Sequence, residues 1–142
     1  MTLVDVRPAI FNLLVANSAI NALVTSGGIS RIFPTVLPQG ITADSIIYTR
    51  ITEFEHLNMQ SESGLVNARY QIDAASLSAN RATELANLVK ETLQGYAGTV
   101  AVGADHVDIE LIEMVNARDD YDGTTQMHRS SKDYYVFYRE QN

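Results

Sequence analysis

The sequence predicts an α+β fold: a mainly antiparallel β-sheet with a long helix, about residues 78–95, and N-terminal helices packed on it. Two observations predict it. In residues 66–74, Val66, Ala68, Tyr70, Ile72 and Ala74 fall on one parity and Asn67, Arg69, Gln71 and Asp73 on the other, the period-two pattern of a strand with one apolar face. A few residues later the period changes: Ala82, Leu85, Ala86, Val89 and Leu93 follow helical spacing and make one inward stripe. A strand feeding an amphipathic helix that folds back on it is a minimal core, which the remaining segments have to complete.

Taken in order, Asp5 can cap a first helix, with Pro8 in the first turn, where a missing N–H costs nothing, and Ile10, Leu13 and Leu14 on the buried side. Asn17 or Ser18 starts a second short helix carrying Ile20, Leu23 and Val24, and Ser26-Gly27-Gly28 stops it. Residues 29–33 read as a short strand closed by Pro34, and residues 34–43, with Pro34, Pro38 and Gly40, as a loop. Residues 45–54 are rich in strand formers, with apolar residues on both parities, which suits a strand covered on two sides. The polar residues 55–64 read as a long hairpin connection. After the central strand and helix, Gly95 and Gly98 end the helix and residues 99–102 form a small edge strand. Residues 106–117 are a strand whose apolar phase slips from Val107, Ile109 and Leu111 to Ile112 and Met114, predicting a β-bulge near Leu111. Residues 118–131 read as a polar loop, long enough to suggest function, and the aromatic residues 134–138 close the sheet.

At 142 residues the chain suits a single domain spanning residues 1–142, with no repeat or linker to divide it. There is no cysteine, hence no disulfide or thiolate chemistry. The first residues lack a basic leader followed by an apolar run, and no apolar stretch approaches the roughly 18 residues of a membrane span, so a soluble protein with no membrane partner is expected. The net charge of −7 is concentrated: residues 105–122 hold Asp105, Asp108, Glu110, Glu113, Asp119, Asp120 and Asp122 against Arg118 alone. Such a surface repels nucleic acid rather than holding it, because affinity there comes largely from neutralised phosphates.

Candidate chemistry is sparse. Asp105, His106 and Asp108 can be read as metal ligands, but charged residues at the start of a half-exposed strand explain them without a second ligand cluster. His56 and His128 lie in polar segments and read as surface residues rather than a general base. No serine sits in a nucleophile elbow and no phosphate-binding glycine pattern occurs. Asp73, on the polar parity of the central strand near Arg69, is a conceivable catalytic carboxylate; a turn cap or an arginine pair is the plainer reading. The aromatic strand lacks the interleaved basic residues of a nucleic-acid stacking platform and suits a core or subunit interface. No catalytic residue, metal or cofactor is therefore assigned.

Taken together, RIFP at residues 31–34, PQG at 38–40, SIIYTRI at 45–51, RYQIDAAS at 69–76 with its alanine- and leucine-bearing helix, and MHRSSKDYYVFY at 127–138 form one pattern. Its order and spacing resemble the tail-completion or tail-terminator proteins of long-tailed bacteriophages and gene transfer agents. The resemblance covers nearly the whole chain. Ser45 departs from it, since the family often has proline before the hydrophobic strand, and this touches only the local turn.

That resemblance implies a non-enzymatic virion protein, assembled in the host bacterial cytoplasm and placed at the head-proximal end of the tail. Its copies form a ring, usually a hexamer, that caps the tail tube, ends its polymerisation and offers a head-tail joining surface. The implied partners are other copies of itself, the major tail tube protein and a head completion or connector protein, with DNA passing through the lumen without specific binding. Residues in the polar segments, Glu55, His56, Glu62, Asp119, Asp120, Asp122, His128 and Arg129, are the candidates for partner or lumen contacts. Another neck or head-closure protein is the nearest alternative. A small-molecule or peptide binding module, which needs an apolar pocket, and a hydrolase using Asp73 or the Asp105–Asp108 cluster are the alternatives from other classes.

Overall fold

The structure is a computed structural model; it describes residues 5–57 and 62–139, with the side chains of residues 54–57 and 62–64 outside that description. The described residues form three helices and eight strands in the order α1 (Arg7–Ala16), α2 (Ser18–Val24), β1 (Thr25–Ser26), β2 (Ile29–Ser30), β3 (Ile32–Pro34), β4 (Ser45–Leu57), β5 (Glu62–Ser76), α3 (Ala79–Leu93), β6 (Gly98–Val102), β7 (Asp105–Asp122) and β8 (Met127–Arg139). β1 and β2 form a small hairpin, and the other six strands make one sheet ordered β3-β4-β5-β8-β7-β6.

The fold is α+β, but the sheet is a curled, mixed one. β3 runs parallel to β4, pairing Ile32 with Ile46, because the loop after Pro34 carries the chain back to the end of the sheet where β3 began. The remaining neighbours are antiparallel. The aromatic strand does not close the sheet: β8 lies between β5 and β7, which explains why it is apolar on its helix-facing parity.

Two predicted loops are largely strand. β4 extends to Leu57 and β5 starts at Glu62, so most of residues 55–64 belongs to a long ribbon. Likewise β7 runs to Asp122 and β8 starts at Met127, leaving only a four-residue turn of the expected loop at residues 118–131. Polar side chains hid both strands, because a ribbon that reaches beyond the core has no apolar face to announce it. The glycine pair Gly27-Gly28 also acts differently from expectation. α2 has already ended at Val24, and both glycines take positive φ, +58° and +79°, in the turn of the β1–β2 hairpin.

The core is built as the two periodicities dictate. Val66, Ala68, Tyr70, Ile72 and Ala74 of β5 are buried against Ala82, Leu85, Ala86, Val89 and Leu93 of α3 and against Ile10 and Leu14 of α1. Ser78 caps α3, its Oγ accepting from the Arg81 N–H at 3.4 Å. Asn17 caps α2 by accepting from the N–H groups of Ala19 and Ile20, and its amide donates to Thr92 Oγ1 at 2.7 Å, tying that cap to α3. Val6, rather than Asp5, is the N-cap residue of α1; Asp5 instead accepts from the Arg7 N–H at 3.0 Å. Arg31, the first residue of the RIFP segment, is a pin: it donates to Leu23 O, Ser26 Oγ and Asp44 O. Asp44 in turn accepts from Ser76 Oγ and Arg81 Nε, fastening the loop before β4 to the start of α3.

Tyr70 and Tyr134 face each other across β5 and β8, both fully buried, and neither hydroxyl has a hydrogen-bond partner. Burial pushes both phenols up beyond their ordinary range. A buried hydroxyl without a partner costs about 1–3 kcal/mol. Tyr134→Phe is therefore expected to leave stability unchanged or raise it by about 1 kcal/mol, read by urea denaturation. A loss of that size would show that the hydroxyl has a partner after all.

Candidate functional site

The second parity of β5 looks away from the helices, and there the antiparallel register assembles one continuous polar cluster. β5 supplies Asn67, Arg69, Gln71 and Asp73; β8 supplies Arg129, Ser131, Asp133, Tyr135 and Phe137; β7 supplies Arg118 and Asp120. Asp133 Oδ2 accepts from Arg69 Nε at 3.2 Å and Nη2 at 2.7 Å. Arg118 bridges the next gap, with Nη2 donating to Gln71 Oε1 at 2.7 Å and Nη1 lying 3.7 Å from Asp133 Oδ1. The Gln71 amide donates to both Asp73 oxygens, at 2.9 and 3.2 Å, and Arg129 Nη1 reaches Asp73 Oδ2 at 3.4 Å. Carboxylates thus alternate with guanidinium and amide groups across three strands.

Asp73 and Asp133 are each only 4% exposed, although among the described residues no helix covers this face. The long side chains of Arg69, Arg118 and Arg129 lie over them and keep their own ends partly in water, as amphipathic stems do. Asp133 Oδ1 and Asn67 Oδ1 are buried without a hydrogen bond. At the far end of the face Ile47, Ala75 and Met127 form a small apolar cluster with Leu37.

Asp73 pairs with Arg129 and Gln71, not with Arg69, whose partner is Asp133. On different strands and 64 residues apart, Arg69 and Asp133 were invisible as a pair in sequence; the only signal was that Asp133, Tyr135 and Phe137 share the parity opposite to the buried Tyr134, Val136 and Tyr138. Asp73 meets an arginine, as the plainer of its two readings anticipated.

The expected partner residues separate into two groups. Asp119, Asp120, Asp122, His128 and Arg129 meet at one end of the β7–β8 ribbon, while Glu55, His56 and Glu62 lie on the β4–β5 ribbon with side chains outside the described set. Asp119 faces the helix side, lining a shallow cleft with Ala79, Ala82 and Thr83 at the start of α3. Asp120 and Asp122 share the outer face with Arg129. Asp122 caps the turn: its Oδ1 accepts from the Thr124 N–H at 2.9 Å and the Thr125 N–H at 3.4 Å, and these bonds hold its carboxyl below the usual range. A depressed carboxylate supports the turn above its unfolded pKa and loses that support as pH falls through the folded value. The His128 ring packs on Tyr121 with centroids 4.8 Å apart. These residues therefore sit on paired strands, not in the expected loop.

The Asp105, His106 and Asp108 group is spread by the strand. His106 Nε2 is 3.8 Å from Asp108 Oδ1, which accepts from Thr99 Oγ1 at 2.8 Å, the cross-strand pairing expected of a hairpin edge. Among the described residues no cluster of three or more His, Asp or Glu is arranged to hold a metal. Among them too, no helix is long and apolar enough to cross a membrane. The arrangement is one of charged surfaces, buried pairs and strand edges.

Comparison with known proteins gives the chain a family and a fold likeness. Residues 8–139 match the family model of the tail completion protein gp17. No curated protein matches the chain. Among solved structures, a chain from a virion of a native gene transfer agent particle superposes with a TM-score of 0.67, covering 92% of this chain and 91% of that one at 13% identity, a likeness of fold. With 132 of its residues spanned by one family model, the chain belongs to the tail completion protein gp17 family and is a structural protein of the virion tail.

Proposed function

We propose that the chain acts as one tail-terminator-like domain whose copies form a hexameric ring, the number its family resemblance implies, at the head-proximal end of the tail tube. The ring stops tube polymerisation and presents the surface on which the head connector docks. It acts by binding, without cofactor or catalysis. Its partners are its own copies, the major tail tube protein and a head completion or connector protein, and DNA passes through the lumen unbound. The observation that carries this reading is the family match over residues 8–139. The two unlike sides of the subunit, helices on one face of the sheet and the Arg–Asp cluster on the other, support it, since a cap must bind a tube end without propagating it.

Electron micrographs of particles made without the protein test the reading: over-long, headless tails are expected, and tails of normal length joined to heads would overturn it. Asp119, Asp120 and Asp122 are placed by this reading at a partner or lumen surface. Replacing all three with Asn, which keeps the turn-capping oxygen of residue 122, is expected to lower the yield of joined particles about tenfold, as loss of electrostatic complementarity does. Unchanged ring assembly, joining and particle function would remove these residues from the interface.

A further inference from the structure

We infer that the open edge of β7 over residues 115–122 is a docking site for an extended, lysine- or arginine-bearing segment of another virion protein, which adds to the sheet as a further strand. β6 pairs with β7 only from Asp105 to Ile109. Just beyond, residues 94–96 cover the same edge: Gly95 N–H donates to Ile112 O, Ile112 N–H donates to Tyr96 O, and Met114 N–H donates to Gln94 Oε1. Past Met114 the described residues supply no neighbour on that side.

The register says which backbone groups are left. Ile112 and Met114 lie opposite Val136 and Tyr134 and bond away from β8. In an antiparallel ladder such positions alternate, so Ala117, Asp119 and Tyr121, opposite Lys132, Ser130 and His128, also turn their N–H and C=O groups to the open edge. Tyr121 shows this directly, because its N–H bonds to the neighbouring Asp120 Oδ1 at 2.9 Å rather than to β8. The N–H and C=O groups of Ala117 and Asp119 remain for a partner strand, which is how extended segments join exposed edges.

Charge selects the occupant. Asp119 lies on one side of this edge and Asp120 and Asp122 on the other, while Arg118 is turned inward to Gln71 and Asp133. The nearby cations lie on β8: Arg129, which is shared with Asp73, and Lys132, opposite Ala117, so the three carboxylates leave the edge net negative. Two copies pairing edge to edge would set these carboxylates against one another, and like charges opposite each other destabilise a pair. A basic strand meets no such penalty. The inference rests on the proposed function only in taking the partner to be a virion protein.

The test uses the full chain and two labelled probes, a short Thr/Val peptide with lysine at every second position and the same peptide with glutamate there. Fluorescence anisotropy is expected to show the lysine peptide bound at least about tenfold more tightly, with the difference shrinking in salt. Hydrogen exchange at the Ala117 and Asp119 amides should slow on binding. Ala117→Pro removes an outward N–H without touching the β8 ladder and should abolish binding; charge reversal by Asp119→Lys with Asp120→Lys should reverse the preference between peptides. Equal affinity for both peptides, or no protection at Ala117 and Asp119, overturns the inference, as does protection of those amides by self-association alone. Failure here together with over-long tails in particles lacking the protein would sink the edge and leave the terminator standing; peptide binding together with normal tails would do the reverse.

Discussion

Leu85→Ala is expected to lower the unfolding free energy by about 3 kcal/mol, the middle of the range for truncating a fully buried leucine. Leu85 is 1% exposed and lies on the α3 stripe that covers β5, in the same core as Tyr70, Ile72 and Val89. The loss combines the transfer free energy of the removed carbons with the void left behind, and the void is hard to close. The sheet below is fixed by pairing on both sides of β5, and α3 is held at its start by the Arg81–Asp44 pair and near its end by the Asn17–Thr92 bond. Denaturant unfolding measures the effect, and a loss under about 1 kcal/mol would mean that α3 can settle onto the sheet freely. Leu85→Met, which nearly conserves volume, should cost less than about 1.5 kcal/mol.

Asp133→Ala is expected to cost about 2–3 kcal/mol. Its carboxylate is the acceptor for Arg69 and lies beside Arg118, so its removal leaves two guanidinium groups facing an apolar side chain. Breaking a fully buried ion pair costs about 3–5 kcal/mol. The lower figure applies because Arg69 is 33% and Arg118 48% exposed, so water screens part of the loss. A double-mutant cycle with Arg69→Ala isolates the pair, and a coupling of about 1 kcal/mol or more is expected. Additive effects would reduce the cluster to side chains that share a surface without holding one another.

The α+β class and the core were legible because they rest on local periodicity. Val66 to Ala74 and Ala82 to Leu93 each repeat an apolar residue at the period of their own element, and the structure buries those residues together. The bulge near Leu111 was legible for the same reason, as a slip of phase, and the register shifts between Ile109 and Leu111. What escaped depends on neighbours distant in sequence. Nothing in the short segment Ile32–Pro34 says that it will run parallel to β4, since that is decided by where the following loop returns. The strand segments 118–122 and 127–131 escaped because their side chains are mostly polar, and polar ribbons and loops read alike. The Arg69–Asp133 pair needed the register of β5 against β8, which periodicity does not contain.

β7 carries a second register shift, between Met114 and Asn116, so it has one residue more than its partner at each of two places, Glu110 and Val115. These surplus residues are slack in the chain. Deleting either would close the ladder at that place while every residue beyond it kept its present face and its present neighbour on β8; only the local bend and twist would relax. Deleting one residue between Ala117 and Tyr121 would instead send the side chains beyond the cut to the opposite face. The curvature of the ribbon and the chemistry it displays are thus set by different residues, and a lineage can alter the shape of this end of the subunit without rewriting its surface.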